Sequence, residues 1–151
     1  MTYFHCAPQP LGIGSIIEPG NWGRIIRLYE PDNKVVSVQA LNEACLEYAR
    51  RLHAPTAPSR LDCVFALPDI DSAKNYAFRH SPRNIIYEIE PMDRNAAMHI
   101  GDYEVSIEPH TDRYFDKIFD RGLRYWTTEN PSYPEVLFAC PIRVISQIYR
   151  P

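Results

Sequence analysis

Long apolar runs are missing: no stretch of the 151-residue chain approaches the roughly 18 consecutive apolar residues of a membrane-spanning helix, so no membrane partner is expected. The opening residues, MTYFHCAPQP, have no basic cluster followed by an apolar segment, which is not the form of a secretory signal. The expected location is the cytoplasm, or a target cell into which dedicated machinery delivers the protein. A basic excess is also missing. The net charge is −3, so no global field draws the chain onto nucleic acid, and a local patch would have to do so. The cysteines Cys6, Cys45, Cys63 and Cys140 form no CxxC pair and no Cys/His zinc spacing. They predict reduced, mostly buried thiols and no metal. Gly12-Ile13-Gly14 lacks the third glycine, the strand–helix context and the lysine of phosphate-binding loops, and predicts a turn. No G-x-S-x-G elbow exists, and His5 and Cys6, adjacent on a strand, would point to opposite faces rather than pair for hydrolysis.

What is present suits one globular domain over residues 1–151, with 45% hydrophobic residues to build a core. The 14 prolines sit mostly between periodic segments, which predicts many short elements joined by stiff loops. The clearest connector is Ala54-Pro55-Thr56-Ala57-Pro58-Ser59. Leu41, Ala44, Cys45, Tyr48, Ala49 and Leu52 recur at helical spacing and predict an amphipathic helix. A second helix is predicted from Asp112 to Arg121, capped by Thr111 or Asp112, ended by Gly122, with Phe115, Ile118 and Phe119 on one face. A shorter one starts near Asp71 or Ser72 and carries Ala73, Tyr76 and Ala77. Strands are predicted at Tyr3–Cys6, Arg24–Tyr29, Lys34–Val38, Asp62–Leu67, Asn84–Glu88, Tyr103–Ile107, Val136–Cys140 and Arg143–Ile148. In the Tyr103–Ile107 strand, Val105 and Ile107 alternate with Glu104 and Ser106, giving one wet face. Short strands and few helices, without strict βαβ alternation, predict an α+β fold and argue against a doubly wound nucleotide fold.

Three local patterns carry chemistry. His5 lies inside the short strand Tyr3-Phe4-His5-Cys6. Cys63-Val64-Phe65-Ala66-Leu67 leads through a loop into Ser72-Ala73-Lys74-Asn75-Tyr76-Ala77, a strand followed by a helix bearing a tyrosine. In Tyr133-Pro134-Glu135-Val136-Leu137-Phe138 a carboxylate opens an apolar strand, where it needs a partner or a job. Taken singly, each has a plain structural explanation: a core histidine, an amphipathic tyrosine, an edge glutamate.

In this order the three motifs resemble the H–Y–E pattern of the ADP-ribosyltransferase superfamily, most closely the diphtheria-toxin-like branch that includes the poly-ADP-ribose polymerases. The resemblance spans His5 to Glu135, and the succession Glu135–Phe138 to Ile142–Ile145 is similar to the end of such domains. It implies a split antiparallel β-sandwich with a few short helices, and NAD⁺ as co-substrate with no metal. Glu135 would be the catalytic carboxylate, bonding the nicotinamide-ribose 2′-hydroxyl. His5, Cys6, Phe65 and Tyr76 would line the NAD⁺ site, with Tyr76 on the nicotinamide ring and His5 on a ribose hydroxyl of the adenosine half. Val64 replaces the first aromatic of the middle motif, predicting an aliphatic pocket wall, and Cys6 stands where glycine is common. Tyr133 occupies the place where arginine-modifying relatives carry a second glutamate, so arginine modification is not implied.

The implied function is a glycosyltransferase reaction that moves ADP-ribose from NAD⁺ to a macromolecular acceptor, protein or nucleic acid, in a bacterial toxin, effector or phage-related factor. The segment 124–134 would contact the acceptor, with Tyr125, Trp126 and Tyr133 as recognition aromatics beside Arg124; the same rings could instead pack under the loop. Two alternatives remain open on the sequence: a rifamycin-type small-molecule ADP-ribosyltransferase, and a non-catalytic binding module that only happens to carry the three residues in this order.

Overall fold

Short apolar strands assemble into two antiparallel sheets flanked by helices, so the fold is α+β. The computed structural model describes residues 2–29, 38–105 and 113–149. One sheet runs in the order β1 (Tyr3–Ala7), β4 (Ile85–Pro91), β7 (Ile142–Tyr149), β2 (Ile16–Ile17). The other runs β3 (Val64–Ala66), β6 (Pro134–Phe138), β5 (Met98–Asp102). A single antiparallel bridge ties their edges together. The Phe4 N–H donates to the Leu67 carbonyl at 2.9 Å, and the Leu67 N–H donates to the Phe4 carbonyl at 2.7 Å. Beyond that bridge β1 and β3 part, and the two sheets split.

The period of two along each strand decides which layer each side chain joins. Val136 and Phe138 of β6 meet Tyr87, Ile89, Ile142 and Val144 in the core shared by the two sheets. Leu137 points the other way, into a second core with Leu46 and Ala49 of α2 (Val38–His53) and Tyr125 and Trp126 of α4 (Tyr114–Thr127). Ile86 and Leu67 receive Ala73 and Ala77 of α3 (Ile70–His80) in a third. Asp69 caps α3, accepting from the Ser72 N–H at 2.7 Å, so the helix starts at Ile70, one residue before the earlier of the two predicted starts, Asp71. No helix among the described residues is long and apolar enough to cross a membrane.

Several expectations are corrected. The segment predicted as a strand at Arg24–Tyr29 begins as helix α1 (Asn21–Ile26) and continues as a turn. Gly20, at φ 87°, starts it, and Gly23 presses onto the Leu61 carbonyl so closely that a Cβ would lie 1.9 Å from the oxygen. Close packing there overrides the β-propensity of Ile25 and Ile26. The strand expected from Tyr103 lies earlier, as β5, and Tyr103 and Glu104 form a turn. Ser106 and Ile107, with the alternation they were to continue, lie outside the described residues, as do Lys34 to Ser37 and the caps Thr111 and Asp112. Val38 opens α2 instead of ending a strand. Gly12-Ile13-Gly14 makes the expected turn, with Gly14 at φ 82°.

The helix faces also differ from the predicted stripes. Of the predicted stripe Ala49 is buried, but Leu41, Tyr48 and Leu52 are exposed, and α2 buries Glu43 and Leu46 in their place. On α4, Ile118 is buried while Phe115 and Phe119 are exposed. Gly122 does not end α4, which continues to Thr127. It is the point where α4 crosses α2: a Cβ there would sit 2.9 Å from the Ala49 Cβ and 3.3 Å from the Cys45 carbonyl oxygen. Trp126 then donates from Nε1 to the Leu46 carbonyl at 2.7 Å, locking the pair.

Valine at Gly122 would gain helix propensity yet force the two helices apart. Gly122→Val is therefore expected to destabilise the protein by roughly 1–3 kcal/mol, the usual range for overpacking. Urea denaturation should show a lower midpoint at unchanged slope; an equal or higher midpoint would contradict the close crossing.

Candidate functional site

The cleft opens where β1 and β3 separate. It is built from a histidine on β1, an aromatic on β3, a tyrosine on the first turns of α3 and a carboxylate at the start of β6. A small cavity of about 40 Å³ is lined by His5, Cys6, Phe65, Ala66, Leu67, Tyr76 and Glu135. An adjoining lobe of about 270 Å³ shares His5, Cys6, Phe65, Tyr76 and Glu135, and adds Trp22 and Arg60. All five residues expected from the sequence thus line one cleft. Val64 does not: it faces the inter-sheet core, so the expected aliphatic wall is replaced by the Phe65 ring.

His5 is held in one tautomer. Its Nδ1 lies 2.8 Å from the Phe65 carbonyl, an acceptor only, so Nδ1 carries the proton and donates. Burial lowers the pKa of His5, against the pull of that carbonyl. The neutral ring keeps a bare lone pair on Nε2, which has no partner among the described residues. No buried side-chain N or O among them lacks a partner, so Nε2 must reach the open cleft, where it can accept a hydroxyl proton. Cys6 donates its thiol to the Ala73 carbonyl at 3.6 Å, and burial pushes its pKa up to about 12, which removes it as a nucleophile. Tyr76 packs its ring against His80 and Tyr103, with centroids at 4.7 and 5.1 Å. Burial, then the nearby Glu135, raises its phenol to about 12, so it remains a neutral aromatic surface.

Glu135 is buried and shares its face of β6 with Leu137, pointing at α4 rather than into the inter-sheet core. Its Oε1 accepts from the Tyr125 hydroxyl at 2.7 Å and from Arg60 Nη1. Its Oε2 has no partner among the described residues and, by the same reasoning as for His5, opens onto the cleft. Arg60, on the 3₁₀ turn Arg60–Asp62, donates from Nε and Nη2 to Glu43 of α2 at 3.0 Å, and from Nη1 to the Tyr125 hydroxyl at 2.7 Å. Trp22 of α1 donates from Nε1 to the same Glu43 carboxylate at 2.9 Å. Burial works against the Arg60 charge, but Glu135, Tyr125 and Glu43 outweigh it and hold its pKa well above that of a free guanidinium. Burial, opposed by Arg60 and reinforced by Glu135, raises the Tyr125 phenol well above its usual value. The register places Gly101 of β5 opposite Glu135, and a Cβ there would lie 2.3 Å from the Tyr125 ring, so this glycine is what lets the phenol reach the carboxylate.

Arg60, Glu43 and Trp22 are the site residues that sequence reasoning missed, and Tyr125 was named there only as a recognition aromatic. One signal was available. Glu43 falls at the spacing of Leu46 and Ala49, so a stripe drawn through those two contains a buried acid, which needs a cation.

The segment 124–134 is only partly a loop, since α4 occupies it up to Thr127. Tyr125 and Trp126, expected as recognition aromatics, are core residues at 2% and 5% exposure, the packed alternative of the two. Tyr133 lies under Arg79, whose Cζ is 4.4 Å from the ring centroid and whose Nη2 donates to its hydroxyl at 2.8 Å. Asp102 ties this loop to β5, accepting from the Ser132 and Tyr133 N–H groups at 2.8 and 3.3 Å. Among the described residues no group of three or more His, Cys, Asp or Glu side chains is arranged to hold a metal.

The molecule is thus an α+β protein with a cleft at the split between two antiparallel sheets. The chain belongs to the family described as a protein of unknown function, DUF2441, whose model matches residues 20–150. That span includes Trp22, Glu43, Arg60, Phe65, Tyr76 and Glu135, while His5 and Cys6 precede it. No curated protein matches the chain.

The neutral His5 makes acid stability a test of this geometry. Its folded pKa lies below the ordinary 6.5, so below that pH the unfolded chain binds the additional proton and stability falls on acidification. His99, lowered by burial against its contact with the Tyr125 carbonyl, adds a loss of the same sign. Chemical denaturation from about pH 7.5 down to about pH 5 should therefore show a decline that is shallower in His5→Gln; equal slopes would mean that His5 is not held neutral.

Proposed function

We propose that this protein cleaves the nicotinamide–ribose bond of NAD⁺ and transfers ADP-ribose to a macromolecular acceptor. The observation that carries this reading is the meeting of His5, Tyr76 and Glu135, from β1, α3 and β6, in one cleft at the split between the sheets. These residues are far apart in sequence and arise on three different elements. An α+β fold with antiparallel sheets is compatible with what the resemblance to the ADP-ribosyltransferases implies.

Each group has a task that its environment suits. Breaking the C1′–N bond sends the bonding pair to the departing nicotinamide, discharging its ring, and leaves positive charge on the ribose. Glu135 Oε2, the free carboxylate oxygen, accepts from the ribose 2′-hydroxyl and stabilises that charge in a buried setting, where electrostatic effects are strong. Tyr76 offers a neutral ring to the nicotinamide, and Phe65 supplies a second wall. His5 Nε2, a lone pair, accepts from a hydroxyl of the adenosine ribose. The acceptor's nucleophile then bonds to C1′ and releases its proton to solvent. Glu43, Glu135 and Arg60 together carry one negative charge in excess, a setting that favours a cationic ring and a cationic transition state over neutral ones.

Glu135→Gln keeps the shape and the hydrogen bonds to Tyr125 and Arg60 while removing the charge. It is expected to slow NAD⁺ cleavage by about 10²–10³, the usual loss for one electrostatic group. Release of labelled nicotinamide, with and without cell extract as acceptor source, measures it. Equal rates in the variant would remove Glu135 from the reaction, and absence of cleavage and of NAD⁺ binding in the unaltered protein would refute the proposal.

A further inference from the structure

We propose that Arg60 is a positioning residue for Glu135, anchored from behind by Glu43 and Trp22 so that one carboxylate oxygen is tied and the other is presented to the cleft. This rests on the role given to Glu135 above.

The guanidinium is restrained on every side. Its Nε and Nη2 edge donates to Glu43 at 3.0 Å through each nitrogen, the side-on fork that fixes orientation as well as distance. Its faces pack on the rings of Phe65 and Tyr125, each with its centroid 4.8 Å from Cζ. The remaining arm, Nη1, serves Glu135 and the Tyr125 hydroxyl. Glu43 is itself fixed by the Trp22 indole N–H. With a single carboxylate partner, a guanidinium can follow that partner as it rotates. With Glu43 holding its other edge, Arg60 stays put, and Glu135 must come to it.

The consequence falls on Glu135. Two donors converge on Oε1, and Oε2 is left to the cleft. The assembly is also an expensive way to fill space. Burying two carboxylates around one cation leaves a charge uncompensated, and apolar residues of similar volume commonly stabilise a fold as well or better. Glu43 lines neither lobe of the cleft, so its influence on the reaction can reach the substrate only through its two partners there, Arg60 and Trp22.

Glu43→Gln tests this, because it preserves shape and an acceptor for Trp22 while removing the charge that anchors the guanidinium. With the variant's fold checked by circular dichroism, kcat for NAD⁺ cleavage is expected to fall by roughly 10- to 100-fold, the scale of a catalytic group misplaced by about an ångström. KM for NAD⁺ should stay within about twofold, since only transition-state interactions are weakened. Arg60→Lys, which keeps the charge and loses the fork, should show the same split. A merely structural ion pair would lower the melting temperature without moving kcat. Crystal structures of the unaltered protein and of Glu43→Gln give a readout that needs no turnover. Glu135 Oε1 should sit on Arg60 and Tyr125 in the first and be displaced in the second. Unchanged kcat, or a Glu135 that does not move, overturns the inference. An unaltered protein that cleaves no NAD⁺ while Glu135 moves in the variant overturns the proposed function instead, and leaves the positioning itself standing.

Discussion

A guanidinium buried between two carboxylates constrains everything around it. Arg60 draws Glu43 from α2, Glu135 from β6 and the Tyr125 hydroxyl from α4 to one point, and Trp22 of α1 closes the set. Removing one partner of such a set leaves a charge without compensation, typically a loss of about 3–5 kcal/mol, so the elements that carry the partners have little freedom to rearrange. The rotation of α2 follows from this. The helix turns Glu43 inward and leaves Leu41, Tyr48 and Leu52 exposed, although those three were the more hydrophobic stripe. Gly101 follows as well, since only a residue without a side chain lets the Tyr125 ring lie over β5 and reach across to β6.

The split between the sheets provides the other half of the site. Edge strands β1 and β3 meet at the Phe4–Leu67 bridge and then diverge, so side chains that would otherwise be covered by a neighbouring strand face a cavity. What lines it is chemically sorted. The imidazole of His5, the thiol of Cys6 and the phenol of Tyr76 are all kept neutral, in each case chiefly by burial. Charge is left to Glu135 and Arg60. Such a cleft is suited to stabilising a developing cation with one carboxylate and to holding a ligand by hydrogen bonds and ring contacts.

Residues Ile142–Tyr149 and Pro134–Phe138 illustrate how sequence and tertiary structure divide the work. Both were evident as strands, at Arg143–Ile148 and Val136–Cys140, the latter displaced by two residues because the strand begins at Pro134 and ends at Phe138. Their assignment to different sheets was not evident, because a strand's own sequence does not record which edge it pairs with. The same holds for Arg60. It follows a proline-rich connector with no local pattern to distinguish it from a surface arginine, and its partners lie 17 and 75 positions away.

The sequence by itself determined the α+β class and the existence of most strands, because short-range periodicity is a local property; His5, Cys6, Phe65, Tyr76 and Glu135 were singled out by the order of three motifs and the resemblance it carries. Only the tertiary structure decided which face of α2 is buried, that α4 runs through Gly122 to Thr127, that Arg24–Tyr29 is not a strand, and that Tyr125 and Trp126 belong to the core. In each case the deciding term was a contact between distant elements: Gly122 on Ala49, Gly23 on Leu61, Trp126 on Leu46, and Arg60 between its two carboxylates. Close packing and buried charge outweigh propensities worth a few tenths of a kcal/mol to about 1 kcal/mol per residue, and neither can be computed from neighbours in the chain.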